Sequence, residues 1–174
     1  MTEITFISNK SKKETSQYFF LFVIAVITWV LQIAVFSRFV FFDVSLDLML
    51  LATSFVGISF GLFPGFLFGI VCSLFSSCIL FDHVFYFSYP LVGIISALLV
   101  KSLFSDEILF FVLLIATFSF LVEILNGLQY LKIFNLSSFL GYLFISFKSS
   151  ILNTVISPFF FLGTKFIIKK INNR

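Results

Sequence analysis

One segment of this chain has the residue pattern of a serine nucleophile. Gly57-Ile-Ser59-Phe-Gly61 matches G-x-S-x-G, which in α/β hydrolases places the serine on a turn between a strand and a helix. A nucleophilic serine also needs a base within hydrogen-bond reach, and His83 is the only histidine in the sequence. The membrane spans predicted below place Ser59 and His83 near opposite surfaces of a bilayer, so we expect no catalysis by Ser59.

Asp82 and His83 form a second candidate, because both residue types bind divalent metals. A metal site requires three or four ligands, and the other acidic residues predicted on the same surface are Asp43 and Asp47. A solvated loop accounts for all four residues, so we predict neither a metal nor a cofactor. The sequence also lacks the P-loop, H-E-x-x-H and C-x-x-C patterns, which would indicate phosphate, zinc or redox chemistry. We therefore expect a protein that is not an enzyme.

Glu123 and Lys148 are the charged residues that we expect to lie within the membrane and not at its surfaces. An unpaired charge at the bilayer centre costs about 3 kcal/mol or more. Antiparallel packing of the last two spans would bring Glu123 and Lys148 together as an ion pair. Alternatively, each side chain snorkels to a membrane surface. Both interpretations stay open, and the ion pair predicts that exchanging the two charges together preserves function.

A ladder of glycines is the most regular pattern in the sequence. Gly57, Gly61, Gly65 and Gly69 are spaced four residues apart, which makes one stripe on a continuous helix. Small residues at this spacing let helix backbones approach closely in lipid. The stripe therefore packs against another helix of the same chain or docks a membrane helix of a partner protein.

The composition predicts an integral membrane protein. Of the 174 residues, 60% are hydrophobic, 11% are charged and 30 are phenylalanine, whereas a soluble domain of this size needs far more polar surface. A span needs about 20 apolar residues. The uncharged stretch 48–81 would make a helix of about 51 Å, so we predict two short spans that meet at residues 61–65. There Pro64 removes a backbone N–H and disfavours a continuous helix.

The predicted fold class is all-α, a polytopic membrane protein with six transmembrane helices. The expected spans are residues 18–36, 46–60, 66–80, 88–104, 108–126 and 142–165. Residues 128–140 are predicted to form an interfacial loop or a short surface helix, and Pro158 is expected to kink the sixth span. The transmembrane domain, 18–165, is thus preceded by the tail 1–17 and followed by the basic tail 166–174.

The distribution of basic residues predicts the orientation. With six spans, eight lysines and arginines lie on the surface that holds both termini, namely Lys10, Lys12, Lys13, Lys101, Lys165, Lys169, Lys170 and Arg174. Arg38 and Lys132 lie on the opposite surface. Because cytoplasmic loops are enriched in Lys and Arg, both termini are predicted to be cytoplasmic. The net charge of +3 is accounted for by these topology signals and contact with membrane lipid, and we predict no nucleic-acid binding.

The glycine segment also resembles a known family. Gly61-Leu-Phe-Pro-Gly65-Phe-Leu-Phe-Gly69 is similar to the G-x-x-x-G-F-x-x-G segment of the rod shape-determining protein MreD family. The resemblance covers residues 18–165. The chain departs from the family at Ser73, where members usually carry Asp, and in the outer loop 43–47, which lacks the usual proline.

Other segments extend this resemblance along the chain. Trp29-Val-Leu-Gln32 closes the first span as in the family, and Tyr89-Pro-Leu-Val-Gly93 resembles the family's fourth span. Lys101 follows eight residues later, and Glu123 occupies the fifth span, where members often have an acidic residue. The resemblance adds Gly93 to the candidate residues for helix packing or partner docking.

The resemblance implies a non-enzymatic scaffold of the bacterial cell-elongation (rod) complex, in the plasma membrane, that maintains cell shape and directs lateral peptidoglycan synthesis. The partners it implies are the single-span protein MreC, the actin-like protein MreB and the cell-wall synthases. The MreD family is also thought to share its fold with the substrate-binding component of energy-coupling factor transporters. The short loops of this chain leave little room for a soluble catalytic domain.

A vitamin transporter component of that second type is the alternative function. A polar pocket formed by Glu123, Lys148, Asn126 and Asn153 would suit a small polar solute. Such components usually carry an A-x-x-x-A face on their first span, whereas Ala25 and Ala34 are nine residues apart here. This difference favours the scaffold.

Overall fold

A computed structural model describes residues 18–36, 40–41, 44–80, 87–103, 107–128 and 136–172. The described chain is almost entirely helical and confirms the predicted all-α class. Its helices are α1 (Tyr18–Phe36), α2 (Leu48–Phe60), α3 (Leu62–Leu80), α4 (Ser88–Leu103), α5 (Glu107–Leu128) and α6 (Leu136–Asn172). The last five residues of α1, Gln32–Phe36, are π-helical. A small antiparallel pair, β1 (Val40–Phe41) and β2 (Val44–Ser45), lies between α1 and α2.

The lengths and compositions of these helices agree with a membrane protein. Among the described helices, three contain stretches that are long and apolar enough to cross a membrane: Tyr18–Phe36, Ile108–Leu125 and Leu140–Phe166. Three shorter apolar stretches are Leu48–Phe60, Leu62–Ser77 and Ser88–Leu99. A 13-residue helix such as α2 measures about 20 Å, which is less than the hydrocarbon thickness of about 30 Å.

The break between α2 and α3 is tighter than the sequence predicts. It consists of Gly61 alone, whose φ of 96° is accessible to glycine but unfavourable for other residues. The Gly61 N–H donates to the Gly57 carbonyl at 3.1 Å, and the Gly61 carbonyl accepts from the Gly65 N–H at 3.0 Å. One residue therefore ends one helix and begins the next.

The prediction that Pro64 causes the break, and that the third span starts at residue 66, is wrong. Pro64 lies in the first turn of α3, which begins at Leu62. An N–H in the first turn of a helix has no partner within that helix. A proline there therefore removes no hydrogen bond of the helix. Pro90 occupies the same position in α4, which begins at Ser88.

The helices pack as two groups that share α2. Helix α4 packs extensively against α3 and α2, and α5 packs against α6 as a hairpin. One hydrophobic cluster joins α1–α4 with α5 and includes Met49, Phe68 and Val92. A second cluster joins α2, α5 and α6 through Phe111, Ile115 and Phe161. Helix α2 thus contributes to both cores.

Helix α6 continues through Pro158 and beyond the predicted end of the transmembrane domain. Proline leaves the carbonyl four residues earlier, that of Thr154, without its helical N–H. The Ser157 hydroxyl donates to this carbonyl at 2.8 Å and so replaces the missing donor. Residues 166–172 of the predicted tail are helical. Within the predicted interfacial segment, α5 extends to Leu128 and α6 begins at Leu136, and residues 129–135 lie outside the described chain.

Candidate functional site

Helices α2, α3 and α4 meet backbone to backbone at three glycines. A Cβ built on Gly57 would lie 2.5 Å from the carbonyl oxygen of Gly93, and one on Gly65 would lie 2.8 Å from that oxygen and from the Cα of Gly57. A Cβ on Gly93 would overlap the Gly65 carbonyl. Real Cβ atoms essentially never come within 3.0 Å of such atoms, so only glycine fits at these positions. We call these three residues the glycine junction.

The two other glycines of the ladder have different roles. A Cβ on Gly69 would lie 2.6 Å from the carbonyl oxygen of Tyr89 and 2.7 Å from the Cα of Pro90, so Gly69 extends the contact between α3 and α4. Around Gly61 no atom of the described chain lies within 4 Å of an added Cβ, and its positive φ makes the turn. The ladder is therefore divided between two helices, α2 and α3. Four of the five candidate glycines, all except Gly61, therefore pack against other helices of the same chain. A partner's helix could not occupy the same faces.

Asp47 connects the start of α2 to two other helices. Its Oδ1 accepts from the Leu50 N–H at 2.9 Å, which satisfies one of the N–H groups that a helix start leaves without a partner. Its Oδ2 accepts from the Tyr89 hydroxyl of α4 at 3.0 Å. Its backbone N–H donates to Oδ1 of Asn153 in α6 at 2.9 Å. Asp47 thus joins α2, α4 and α6 at one point.

Gln32 holds the backbone on both sides of Asp47. The Gln32 Nε2 donates to the Leu46 carbonyl at 2.8 Å, and its Oε1 accepts from the Leu48 N–H at 2.8 Å. One primary amide therefore supplies both a donor and an acceptor to the chain that enters α2. Through this contact the π-helical end of α1 is fixed to the same point as α4 and α6.

Asn153 extends the connection from Asp47 to α5. Its side chain has no solvent-exposed area. The Asn153 Nδ2 donates to the Ser119 hydroxyl at 2.6 Å and to the Ser149 hydroxyl at 3.4 Å, while its Oδ1 accepts from Asp47. Both polar atoms of the amide are therefore bonded, as a buried amide requires.

Glu123 ends this series of hydrogen bonds. Its Oε1 accepts from the Ser149 hydroxyl at 3.1 Å. The Tyr142 hydroxyl donates to the Glu123 backbone carbonyl at 2.6 Å and lies 3.4 Å from Oε2. A continuous polar network thus runs from α1 to α6, and its side chains are Gln32, Asp47, Tyr89, Ser119, Glu123, Tyr142, Ser149 and Asn153. We call this set the polar network.

The structure places Glu123 and Lys148 in different surroundings. The contacts of the Glu123 carboxylate within the described chain are the hydroxyls of Ser149 and Tyr142. The Lys148 Nζ lies 4.7 Å from the centroid of the Phe144 ring, a distance suited to a cation–π interaction. The predicted ion pair is not among the described contacts of Glu123.

The one remaining candidate that the structure describes, Ser59, shows no reactive geometry. Ser59 is exposed and lies in the last turn of α2, not on the strand-to-helix turn that a nucleophilic serine requires. His83, Asp82 and Asp43 lie outside the described residues, as does the side chain of Asn126. Among the described residues, no group of three or more His, Cys, Asp and Glu side chains could hold a metal ion.

The sequence prediction missed most of the polar network, although α6 carries a signal for it. The sequence analysis predicts Asp47 in an outer loop and gives no role to Ser119, Tyr142 or Ser149. The buried polar residues of α6 are spaced three or four apart and share one helix face, namely Ser146, Ser149, Asn153 and Ser157. Because the exposed face of α6 consists mostly of large apolar side chains, this polar stripe indicates the face that turns towards other helices.

At Ser73, where the chain departs from the MreD pattern, the structure contains a buried hydroxyl. The Ser73 Oγ has no hydrogen-bond partner within the described chain, and the same is true of Ser54. Ser73 therefore lies apart from the polar network. Comparison with protein-family models, with curated proteins and with solved structures finds no match to this chain.

Proposed function

We propose that this chain is a non-enzymatic membrane scaffold of the bacterial cell-elongation complex. It crosses the plasma membrane six times with both termini in the cytoplasm, and it helps to maintain cell shape and to direct lateral peptidoglycan synthesis. The proposal depends on the resemblance of residues 18–165 to the MreD family and on the distribution of Lys and Arg. The partners are MreC, MreB and the cell-wall synthases.

The structural observation that supports the membrane location in this proposal is the polarity of α6, whose polar side chains are buried and whose large apolar side chains are exposed. Its buried face presents hydroxyls and an amide, including Ser149 and Asn153. Its outward face is a stripe of large apolar side chains, namely Phe144, Phe147, Ile151, Val155, Phe159, Leu162 and Phe166. Phe159 is 72% exposed. A helix with this polarity suits a lipid environment, and its outer surface suits contact with acyl chains or with other membrane helices.

The glycine junction packs helices of the same chain against one another. We therefore assign contact with partner proteins to the outward faces of the helices. Helix α6 offers the longest such face. Around Gly163 no atom of the described chain lies within 4 Å of an added Cβ, so a partner's helix can approach the backbone there. MreC, which has one membrane span, is the partner that this contact fits.

The transporter alternative would require a ligand to compete with the polar network. Of the four predicted pocket residues, Asn153 is bonded to Asp47, Ser119 and Ser149. Glu123 is bonded to Ser149 and Tyr142. A polar solute that bound here would have to break these hydrogen bonds, which favours the scaffold.

The decisive experiment isolates the full-length chain with its partners. The tagged protein is purified in mild detergent, and the proteins recovered with it are identified. We expect MreC and cell-wall synthases, and we expect depletion of the protein to convert rods into round cells. Val155→Trp on the outward face of α6 should reduce MreC recovery, whereas Leu113→Trp, which is equally lipid-facing on α5, should not.

Two results would contradict the scaffold. Recovery of an ATPase pair together with a bound vitamin would support the transporter instead. Depletion that leaves rod-shaped cells unchanged would remove the assignment to cell elongation, whatever proteins are recovered.

A further inference from the structure

Asp47 and Glu123 are the acidic side chains that the structure describes, and each lies beside a tyrosine. The Tyr89 hydroxyl donates to Oδ2 of Asp47 at 3.0 Å. The Tyr142 hydroxyl donates instead to the backbone carbonyl of Glu123 at 2.6 Å, and it lies 3.4 Å from Oε2. The two pairs therefore differ, because only Tyr89 has a carboxylate as its main acceptor.

Tyr89 connects Asp47 to a third helix. The Tyr89 side chain is buried, and its hydroxyl also forms a hydrogen bond with the hydroxyl of Ser76 in α3. Ser76 is itself buried. A hydroxyl group can donate one hydrogen bond and accept others, so Ser76 donates to Tyr89 while Tyr89 donates to Asp47. The start of α2, α4 and α3 are thus joined by one series of hydrogen bonds, Asp47–Tyr89–Ser76.

This series can hold a proton without any movement of its heavy atoms. When Oδ2 of Asp47 carries a proton, it donates to the Tyr89 oxygen, and the Tyr89 hydroxyl donates to Ser76. Ser76 then donates to the carbonyl one turn earlier in α3, as serine commonly does within helices. Oδ1 of Asp47 continues to accept from the Leu50 N–H at 2.9 Å. The groups of the series therefore have hydrogen-bond partners in both protonation states.

The surroundings of Asp47 allow both the charged and the neutral carboxyl group. The titratable groups that interact electrostatically with Asp47 are the Cys72 thiol of α3, Tyr89 of α4 and Glu123 of α5. Helices α1 and α6 contribute the amides of Gln32 and Asn153, which do not titrate, and no lysine or arginine of the described chain contacts Asp47. The N-terminus of α2 favours a negative charge, whereas an apolar membrane interior without a cationic partner opposes it.

We propose that Asp47, Tyr89 and Ser76 form a reversible proton-binding site, in which one proton on Oδ2 of Asp47 reverses the direction of the hydrogen bonds as far as Ser76. The proton comes from water and returns to it, since Asp47 is only half-buried. Tyr89 changes from donor to acceptor towards Asp47 but keeps its own hydrogen count. Tyr142 does not respond to Glu123 in this way, because its acceptor is a backbone carbonyl. The site is independent of the cell-elongation assignment.

Infrared difference spectroscopy of the full chain in phosphatidylcholine vesicles tests the site during a stepwise change of pH. Protonation of a carboxylate produces a carbonyl-stretch band, and tyrosine with a deuterated ring identifies the tyrosine bands. The titration stays below the pH of about 10 at which tyrosine itself ionises. We expect a tyrosine band to change over the same pH interval as the carboxyl band of Asp47. Asp47→Asn should abolish both changes, and Tyr89→Phe should abolish the tyrosine change alone.

The second acid–tyrosine pair provides the matched controls. Glu123→Gln should remove a different carboxyl band and leave the tyrosine change intact, and Tyr142→Phe should also leave it intact. Gel filtration checks that each variant is folded, and if Asp47→Asn is not, Tyr89→Phe and Tyr142→Phe decide the question. A tyrosine spectrum that stays constant while Asp47 titrates would overturn the proposal. So would a tyrosine change that persists in Tyr89→Phe or disappears in Tyr142→Phe.

Discussion

Two regions of this molecule join helices by opposite means. At the glycine junction, α2, α3 and α4 touch through their backbones, and an added methyl group would overlap a neighbouring carbonyl. Between α5 and α6, the contact is made by side chains, with the Asn153 amide donating to Ser119 and the Ser149 hydroxyl donating to Glu123. One region depends on the absence of side chains, and the other depends on their chemistry.

The difference shows how helices associate where water is absent. In lipid the hydrophobic effect gives little preference for one helix neighbour over another, so close packing and interhelical hydrogen bonds decide. Close packing depends steeply on distance, and any added volume at the glycine junction must displace backbone. The polar network depends on donors and acceptors and can adjust through hydroxyl rotation. Substitutions at the glycine junction should therefore lower the free energy of unfolding more than substitutions in the polar network.

The largest effect is expected for Gly93→Ala. The new Cβ would overlap the Gly65 carbonyl, so α3 and α4 must separate, at a cost of about 3 kcal/mol or more. The free energy of unfolding is measured by denaturant titration in mild detergent, with gel filtration to monitor aggregation. Gly163→Ala is the control, because its Cβ meets no described atom, and it should stabilise the protein by up to about 1 kcal/mol, since Ala favours a helix interior more than Gly does. By the same reasoning, replacing Gly61, Gly65 and Gly69 together by Leu should unfold the protein and not merely detach a partner. A stable, monodisperse Gly93→Ala protein would refute the glycine junction.

Asn153→Leu should have the next largest effect. The substitution leaves the Asp47 N–H and the Ser119 hydroxyl without their buried partner, and unsatisfied buried groups cost about 1–3 kcal/mol. We expect a loss of about 2 kcal/mol in the free energy of unfolding. Thr117→Val on α5 is the control, since that exposed hydroxyl bonds only within its own helix. If both variants lose the same stability, the polar network does not connect the helices.

Tyr89→Phe should cost less, because it removes one hydrogen bond and retains the ring. The hydroxyl lost is the donor to Asp47 Oδ2, and a typical net contribution is about 1 kcal/mol. The unfolding temperature in detergent is measured for Tyr89→Phe and for the control Tyr18→Phe, which lies at the exposed end of α1. An equal change in the two variants would show that the bond to Asp47 contributes nothing.

The smallest expected effect is the coupling between Glu123 and Ser149. A double-mutant cycle of Glu123→Gln and Ser149→Ala should give a coupling free energy of about 0.6 kcal/mol, the average for hydrogen bonds between membrane helices. Because the described contacts of Glu123 are hydroxyls, exchanging the charges of Glu123 and Lys148 together should not restore the stability that the single substitutions lose. Full recovery in the exchanged variant would support the ion pair instead.

Periodicity and composition predicted the helices well, because both depend on residues that are close in sequence. The all-α class and the start of α4 at Ser88 follow from apolar runs that end at polar residues. The contact between Gly57 and Gly65 could not be predicted, even though the sequence predicts a break between two spans at residues 61–65. Its geometry depends on the φ of Gly61, and glycine adopts positive and negative φ equally readily.

The polar network was harder to predict because its members are far apart in sequence. Asp47 and Asn153 are 106 residues apart, and an aspartate before a helix has a sufficient local explanation as an N-cap. The sequence alone therefore predicts no distant partner for Asp47, only a place in the outer loop 43–47. For Glu123 the sequence predicts either an ion pair with Lys148 or a snorkelling side chain, and it gives no signal for the hydroxyl partners Ser149 and Tyr142.

The bond between Asp47 and Asn153 also constrains the order in which the protein can be completed during synthesis. A ribosome adds about 5–20 residues per second, so the 106 residues between the two partners take roughly 5–20 s to make. During that interval the amide that precedes α2 must bond to water, lipid headgroups or an assisting protein. A chain released before residue 153 could never form this hydrogen bond, so the start of α2 would stay without its connection to α6.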